Sequence, residues 1–134
     1  MRADTQKTIF IVDPIATNLA VAEKALEKQY QVRTFQSAAE MFAALKTTRP
    51  NLILLSIMMM EMDGFEAMKL LKSNKSYADI PTIFLSGSDD IENEVKCFEL
   101  GAVDFIRKPY HIDVLLCRVR NHLRVDDMIR GAYY

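Results

Sequence analysis

Five short apolar runs alternate along this chain with stretches whose hydrophobic residues recur at helical spacing. Residues 8–12, 30–35, 52–56, 82–86 and 104–107 have the length and the β-branched, aromatic or leucine-rich content of strands. Leu52-Ile53-Leu54-Leu55 is apolar without alternation, the pattern of a strand covered on both faces. The intervening segments carry stripes that predict amphipathic helices: Leu19, Ala22, Ala25 and Leu26; Met41, Phe42 and Leu45; Phe65, Met68 and Leu71; Ile91, Val95 and Phe98; and Ile112, Leu115, Leu116, Val119 and Leu123. Boundary signals agree with this division. Asn18 is a candidate cap for the first helix, and Ser37 with Glu40 reads as a capping box for the second. Gly64 leads into the third, Pro81 sits at the first position of a strand, and Gly101 is placed to end the fourth helix in a left-handed turn. Five alternations of strand and helix demand an α/β fold, a parallel sheet with helices on both faces joined by right-handed crossovers.

Composition bounds the function. The chain has 134 residues, 50% hydrophobic and 26% charged, enough for one domain (1–134) with its own core and no internal repeat. A formal charge of -1 argues against a dedicated nucleic-acid surface, and Arg118, Arg120, Arg124 and Arg130 read as a solvated helix face. Cys97 and Cys117 lack metal-ligand spacing and read as reduced structural thiols, which fits a cytoplasmic protein. No stretch has the apolar length of a membrane span, and residues 1–7 lack the hydrophobic centre of a signal peptide. The loop 13–18 contains no glycine, so a phosphate cradle of the flavin-binding type is not expected. His111 and His122 fall in the last helical pattern, and neither has an acid at a spacing that suggests a triad. Met58, Met59, Met60 and Met62 offer a soft-metal or partner-binding loop, but core filling is the preferred reading.

Ser56 closes the most hydrophobic strand, at the carboxyl edge where open parallel sheets place their chemistry. The run 52–64, LILLSIMMMEMDG, resembles the receiver domain of two-component response regulators. Four further segments carry the same resemblance: Ile9-Phe10-Ile11-Val12-Asp13-Pro14, Ile83-Phe84-Leu85-Ser86, Gly101-Ala102-Val103-Asp104-Phe105, and Ile106-Arg107-Lys108-Pro109-Tyr110. It extends over residues 8–124 and implies a doubly wound, flavodoxin-like (βα)5 fold with five parallel strands in the order 2-1-3-4-5. It also implies a phosphoacceptor aspartate at Ser56, a proline at Met60, and a pair of acids at Asp13 and Pro14. The acid pair, the acceptor and the backbone carbonyl of Met58 would together hold magnesium, while the Ser86 hydroxyl and Lys108 would touch the phosphoryl group. Ser86 and Phe105 would form the switch. Lys96, Asp104 and Arg118 match positions that, in one branch of the family, pair across a twofold dimer face made by the fourth helix, fifth strand and fifth helix; Val114 stands where that branch has an acid.

The departures fall on the reactive centre. One carboxylate, Asp13, and a neutral hydroxyl at Ser56 make a poor magnesium cage, so the ion is expected to bind weakly or not at all, and no other cofactor is expected. Three carboxylates with one lysine would leave the pocket about two charges negative, whereas Asp13 and Lys108 alone are formally neutral. The charge count therefore predicts an Asp13–Lys108 pair with Ser56 and Ser86 as hydrogen-bonding hydroxyls, the alternative being an open cleft with both charges in solvent. Serine chemistry lacks an activating base. The expected function is a non-enzymatic regulatory module of cytoplasmic signal transduction, an atypical receiver working through protein–protein interaction without aspartyl phosphorylation. Its expected partners are a protein or an output domain, with a weak homodimer through the face just named, and no nucleic acid or membrane. The alternatives are a phosphorelay switch with residual metal or phosphate binding, and the regulatory domain of a larger cyclic-dinucleotide enzyme. Residues 125–134 read as a helical extension or a linker to an output domain.

Overall fold

The computed structural model describes residues 6–87 and 91–131, so the readings that fall on residues 1–5, 88–90 and 132–134 lie outside the described residues. In chain order the elements are β1 Thr8–Val12, α1 Ala16–Leu26, β2 Gln31–Phe35, α2 Ala38–Leu45, β3 Leu52–Ser56, α3 Gly64–Ser73, β4 Thr82–Ser86, α4 Ile91–Glu99, β5 Asp104–Arg107 and α5 Ile112–Gly131. The strands form one sheet in the order β2-β1-β3-β4-β5, every neighbouring pair parallel. This is the doubly wound arrangement that the alternation predicts. Among the described residues, no helix is long and apolar enough to cross a membrane.

Strand residues sort between two cores by the two-residue period of extended chain. Phe10, Val12, Ile53, Leu55 and Phe84 face one side, where Met41 of α2, Met68 and Leu71 of α3 and Cys97 of α4 cover them. Ile9, Ile11, Leu52, Leu54, Ile83, Leu85 and Ile106 face the other, under Leu19, Ala22 and Leu26 of α1 and Leu115, Val119 and Leu123 of α5. Because both faces are filled, β3 and β4 are buried at every position. Each such Leu, Ile or Phe contributes about 1.5–3 kcal/mol by leaving water, so the central strands anchor the sheet.

Several local readings need correction. The second strand starts at Gln31, because the Tyr30 N–H is used to bond the Leu26 carbonyl and close α1. Asn18 does not cap α1; the helix begins at Ala16, and the Asn18 amide turns back to Asp13. Ser37 accepts from the Glu40 N–H at 3.2 Å, but the Glu40 carboxylate reaches the Gln36 N–H, so the box is only half built. The complete capping box is at α3, where Asp63 and Glu66 satisfy each other's backbone N–H groups. Gly101 does end α4 with a φ of 101°. Ile91, Val95 and Phe98, expected to face the core, are 71%, 51% and 49% exposed, and the residue that α4 buries is Cys97. The helix lies at the β5 edge of the sheet, where a narrow strip meets the strands, and Phe98 packs edge-on against Phe105 at 5.8 Å. The methionine loop splits likewise: Met59 and Met62 pack on the core, while Met58 and Met60 are 75% and 84% exposed.

Candidate functional site

Parallel strands bring all their carboxyl ends to one edge, and the candidate residues gather there. Asp13 follows β1, Ser56 ends β3, Ser86 ends β4, and Lys108 follows β5, its N–H bonded to the Ser86 carbonyl at 2.7 Å. Asp13 and Ser56 are wholly buried and Ser86 is 2% exposed. The floor of the site is fixed by Gly64: a Cβ there would lie 2.2 Å from the Ser56 carbonyl oxygen, so only glycine lets α3 begin so close to the end of β3. Three residues earlier, Glu61 takes a φ of 66° to turn the loop.

At the centre, the Lys108 Nζ donates to Asp13 Oδ2 at 2.9 Å and to Ser56 Oγ at 2.9 Å. Ser56 in turn donates to the Met58 carbonyl at 3.4 Å. Asp13 also accepts from the Ile15 N–H at 2.9 Å, from the Tyr110 hydroxyl at 3.2 Å, and more weakly from the Asn18 amide at 3.4–3.5 Å. A buried carboxylate is tolerable when its lone pairs are met in this way, and here each oxygen has donors. Both charges are turned inward, with the Lys108 side chain 15% exposed. Burial first, then the Asp13 charge and the hydrogen bond to it, hold the Tyr110 hydroxyl far above the ordinary tyrosine range.

The site's chemistry follows from these contacts. An ammonium occupies the space between the one carboxylate and the hydroxyl. It donates to Ser56 and does not accept from it, so the hydroxyl finds no base there. Pro14 supplies its carbonyl to Gln36 at 3.1 Å and no charge. Among the described residues, no group of three or more His, Cys, Asp or Glu side chains converges. His111 lies just before α5, and His122 reaches Asp104 on β5.

A model of the response regulator receiver domain matches residues 9–120 of this chain. The chain belongs to the response regulator receiver family. A Vibrio cholerae protein named a probable cyclic di-GMP phosphodiesterase is 38% identical to this receiver over 120 residues, covering 90% of the chain and 27% of that protein. Response regulator PleD of Caulobacter vibrioides is 32% identical over 117 residues, 87% of the chain and 26% of that protein. The chain thus spans about a quarter of the length of these two relatives. Among solved structures, the receiver domain of a histidine kinase from Syntrophus aciditrophicus superposes with a TM-score of 0.81 at 34% identity, covering 88% of this chain and 90% of that one. A response regulator from Chloroflexus aurantiacus gives 0.85 at 27% identity, covering 89% and 98%.

On the α4–β5–α5 side of this receiver the matched charges are satisfied within one chain. Arg118 donates to Asp104 Oδ1 at 3.0 Å and to the Phe105 carbonyl at 2.6 Å, and His122 contacts Asp104 Oδ2 at 3.0 Å. Lys96 sits over the Phe65 ring at 4.5 Å. Phe105 is half-buried between the core and Phe98. Sequence reasoning missed Tyr110, Asn18 and His122 as members of these networks. Tyr110 and Asn18 lie within a few residues of Lys108 and Asp13, which is the one signal that could have found them; His122 carried none.

Proposed function

We propose that this receiver is a regulatory interaction module that works without aspartyl phosphorylation. The observation that carries the reading is the buried Lys108 bridge between Asp13 and Ser56, which fills with an internal cation the place where the family resemblance puts metal and phosphoryl group. Magnesium is hard and prefers several oxygen ligands around it; one carboxylate already holding other donors, with an ammonium 2.9 Å away, does not suit it. Ser56 is a poor target for a kinase acting in trans, since its hydroxyl is fully buried. The Ser86 and Phe105 positions then serve packing around a pocket of fixed state, and the signal passes to a protein partner or an output domain.

The test is incubation with magnesium and a small phosphodonor or beryllofluoride, read by intact mass and thermal melting. The parent is expected to stay unmodified. Pro14→Asp with Ser56→Asp restores three acids against one lysine and should acquire both the adduct and magnesium affinity. Because metal binds only the folded state, the variant should gain about 2.7 kcal/mol at a hundredfold excess over its dissociation constant. A stable adduct on the parent, or equal stabilisation of parent and variant by magnesium, refutes the reading.

A second reading concerns the output. The 38% identity to the Vibrio cholerae protein, over 90% of this chain, supports a place as the regulatory part of a cyclic-dinucleotide enzyme. Activity of the full-length gene product on cyclic di-GMP, altered by Lys108→Met, would support it; no such activity would dismiss it.

A further inference from the structure

Between the end of β5 and the first turns of α5 lies a cleft of about 410 Å³ whose walls include Phe105, Arg107, Pro109, His111, Val114 and Arg118. The segment that joins the two elements has two faces. Lys108 and Tyr110 turn inward and bond Asp13, whereas the alternate residues Arg107, Pro109 and His111 line the cleft. Two guanidinium groups and an imidazole therefore meet there, and among the described residues no carboxylate belongs to the lining. The acids that orient the arginines lie outside it: Glu94 Oε2 accepts from Arg107 Nε and Nη2 at 3.0 and 2.5 Å, and Asp104 Oδ1 accepts from Arg118 Nη1 at 3.0 Å. Arg118 uses that one nitrogen for both Asp104 and the Phe105 carbonyl, and its side chain stays 39% exposed, which leaves Nε and Nη2 to face a ligand. Both guanidinium groups lie near the Phe105 ring, 5.8 and 6.0 Å from its centroid, an arrangement that holds them in place. Val114 belongs to the first turn of α5, where backbone N–H groups lack a partner within the helix and the dipole is positive. It also stands where the dimerising branch of the family has an acid, so a position that could have put negative charge in the cleft is apolar in this chain.

We propose that this cleft binds a small phosphate monoester, with the phosphate on Arg118, Arg107 and His111 and an apolar or aromatic body against Phe105, Pro109 and Val114. Its volume falls in the range of small-molecule sites, about 300–1,000 Å³. A phosphate monoester suits the lining better than a carboxylate, because it carries nearly two charges and three acceptor oxygens toward donors that come from β5, the connecting segment and α5. The ligand touches one face of the segment whose other face reaches Asp13, so it braces Lys108 and Tyr110 where they stand. The proposal goes beyond the interaction-module reading and does not depend on it, since Asp13 and Ser56 take no part in binding.

Phenyl phosphate is the probe, titrated by calorimetry and by amide NMR shifts on the whole chain. It should bind one to one, with the shifts centred on residues 105–118. Inorganic phosphate, which lacks the apolar body, and benzoate, which lacks the second charge, should each bind about tenfold more weakly. Arg118→Met should weaken phenyl phosphate by about tenfold as well. Val114→Glu puts a carboxylate into the cleft and should abolish binding; an acid in the first turn of a helix is favourable, so this variant keeps its fold, which thermal melting checks. No binding at about 10 mM phenyl phosphate, or binding to folded Val114→Glu within about twofold of the parent, overturns the proposal. So does benzoate binding more tightly than phenyl phosphate. Shifts centred on Ser56 and Ser86 and lost in Lys108→Met overturn it too, and assign the phosphate to the pocket at the carboxyl edge of the sheet.

Discussion

Replacing Lys108 with methionine keeps the aliphatic stem and removes only the ammonium. At an effective dielectric of about 20, two charges 2.9 Å apart attract by roughly 6 kcal/mol. Part of that attraction offsets the cost of bringing Lys108 out of water, a cost that Lys108→Met also removes. The carboxylate, however, stays wholly buried. Removing one partner of a buried pair typically costs about 3–5 kcal/mol. Here Ile15, Tyr110 and Asn18 still donate to Asp13, so the lower end applies, about 3 kcal/mol, or roughly 10 °C in melting temperature for a chain of this size. Urea melts of four proteins check the cause: parent, Lys108→Met, Asp13→Asn and the double variant. Neutralising Asp13 in the Lys108→Met background should recover about 2 kcal/mol of coupling, because the orphaned charge is then gone. A loss below about 1 kcal/mol for Lys108→Met, or simple additivity of the two single variants, refutes the argument that the pair neutralises the pocket.

Two further outcomes follow from the same geometry. Gly64→Ala forces a Cβ against the Ser56 backbone oxygen and the Ile57 Cα, neither of which can move without separating α3 from β3; it should cost about 3 kcal/mol, whereas Gly131→Ala, with nothing within 4 Å, should stay within about 0.5 kcal/mol. Equal melts for the two variants would contradict this account of the site's floor. Stability should also fall in alkali. Burial and the nearby Glu94 push the Cys97 thiol up to about 11 from 9.0, and Tyr110 is raised above its ordinary 10.0, so each holds its proton more tightly when folded. Their contribution is complete below about pH 9 and is lost as the pH rises through and beyond those values. Tyr110→Phe and Cys97→Ala should each flatten that alkaline limb in urea melts, and unchanged slopes in both would count against the assignment.

The pattern of apolar runs was enough to determine five strands, five helices and a parallel sheet covered on both faces, since burial on two faces imposes a periodicity that is local in sequence, whereas the strand order was what the family resemblance implied. The same locality set Ser56, Asp13, Ser86 and Lys108 at one edge, because every parallel strand delivers its carboxyl end there. What only the tertiary structure decided was which side chains meet. The Asp13–Lys108 pair was legible from the charge count at positions that the family resemblance had brought together, but Tyr110 reaches Asp13 across 97 positions of chain, and no spacing rule spans such a distance. The direction of α4 was likewise undecided by its stripe: a helix at the sheet edge has little surface to cover, so Cys97 goes inward and Ile91, Val95 and Phe98 are left in solvent. Arg118 and His122 turned to the Asp104 of their own chain for the same reason. A charge at the end of a long side chain takes the nearest opposite group that folding supplies, and only the packing of α5 on β5 sets which group that is.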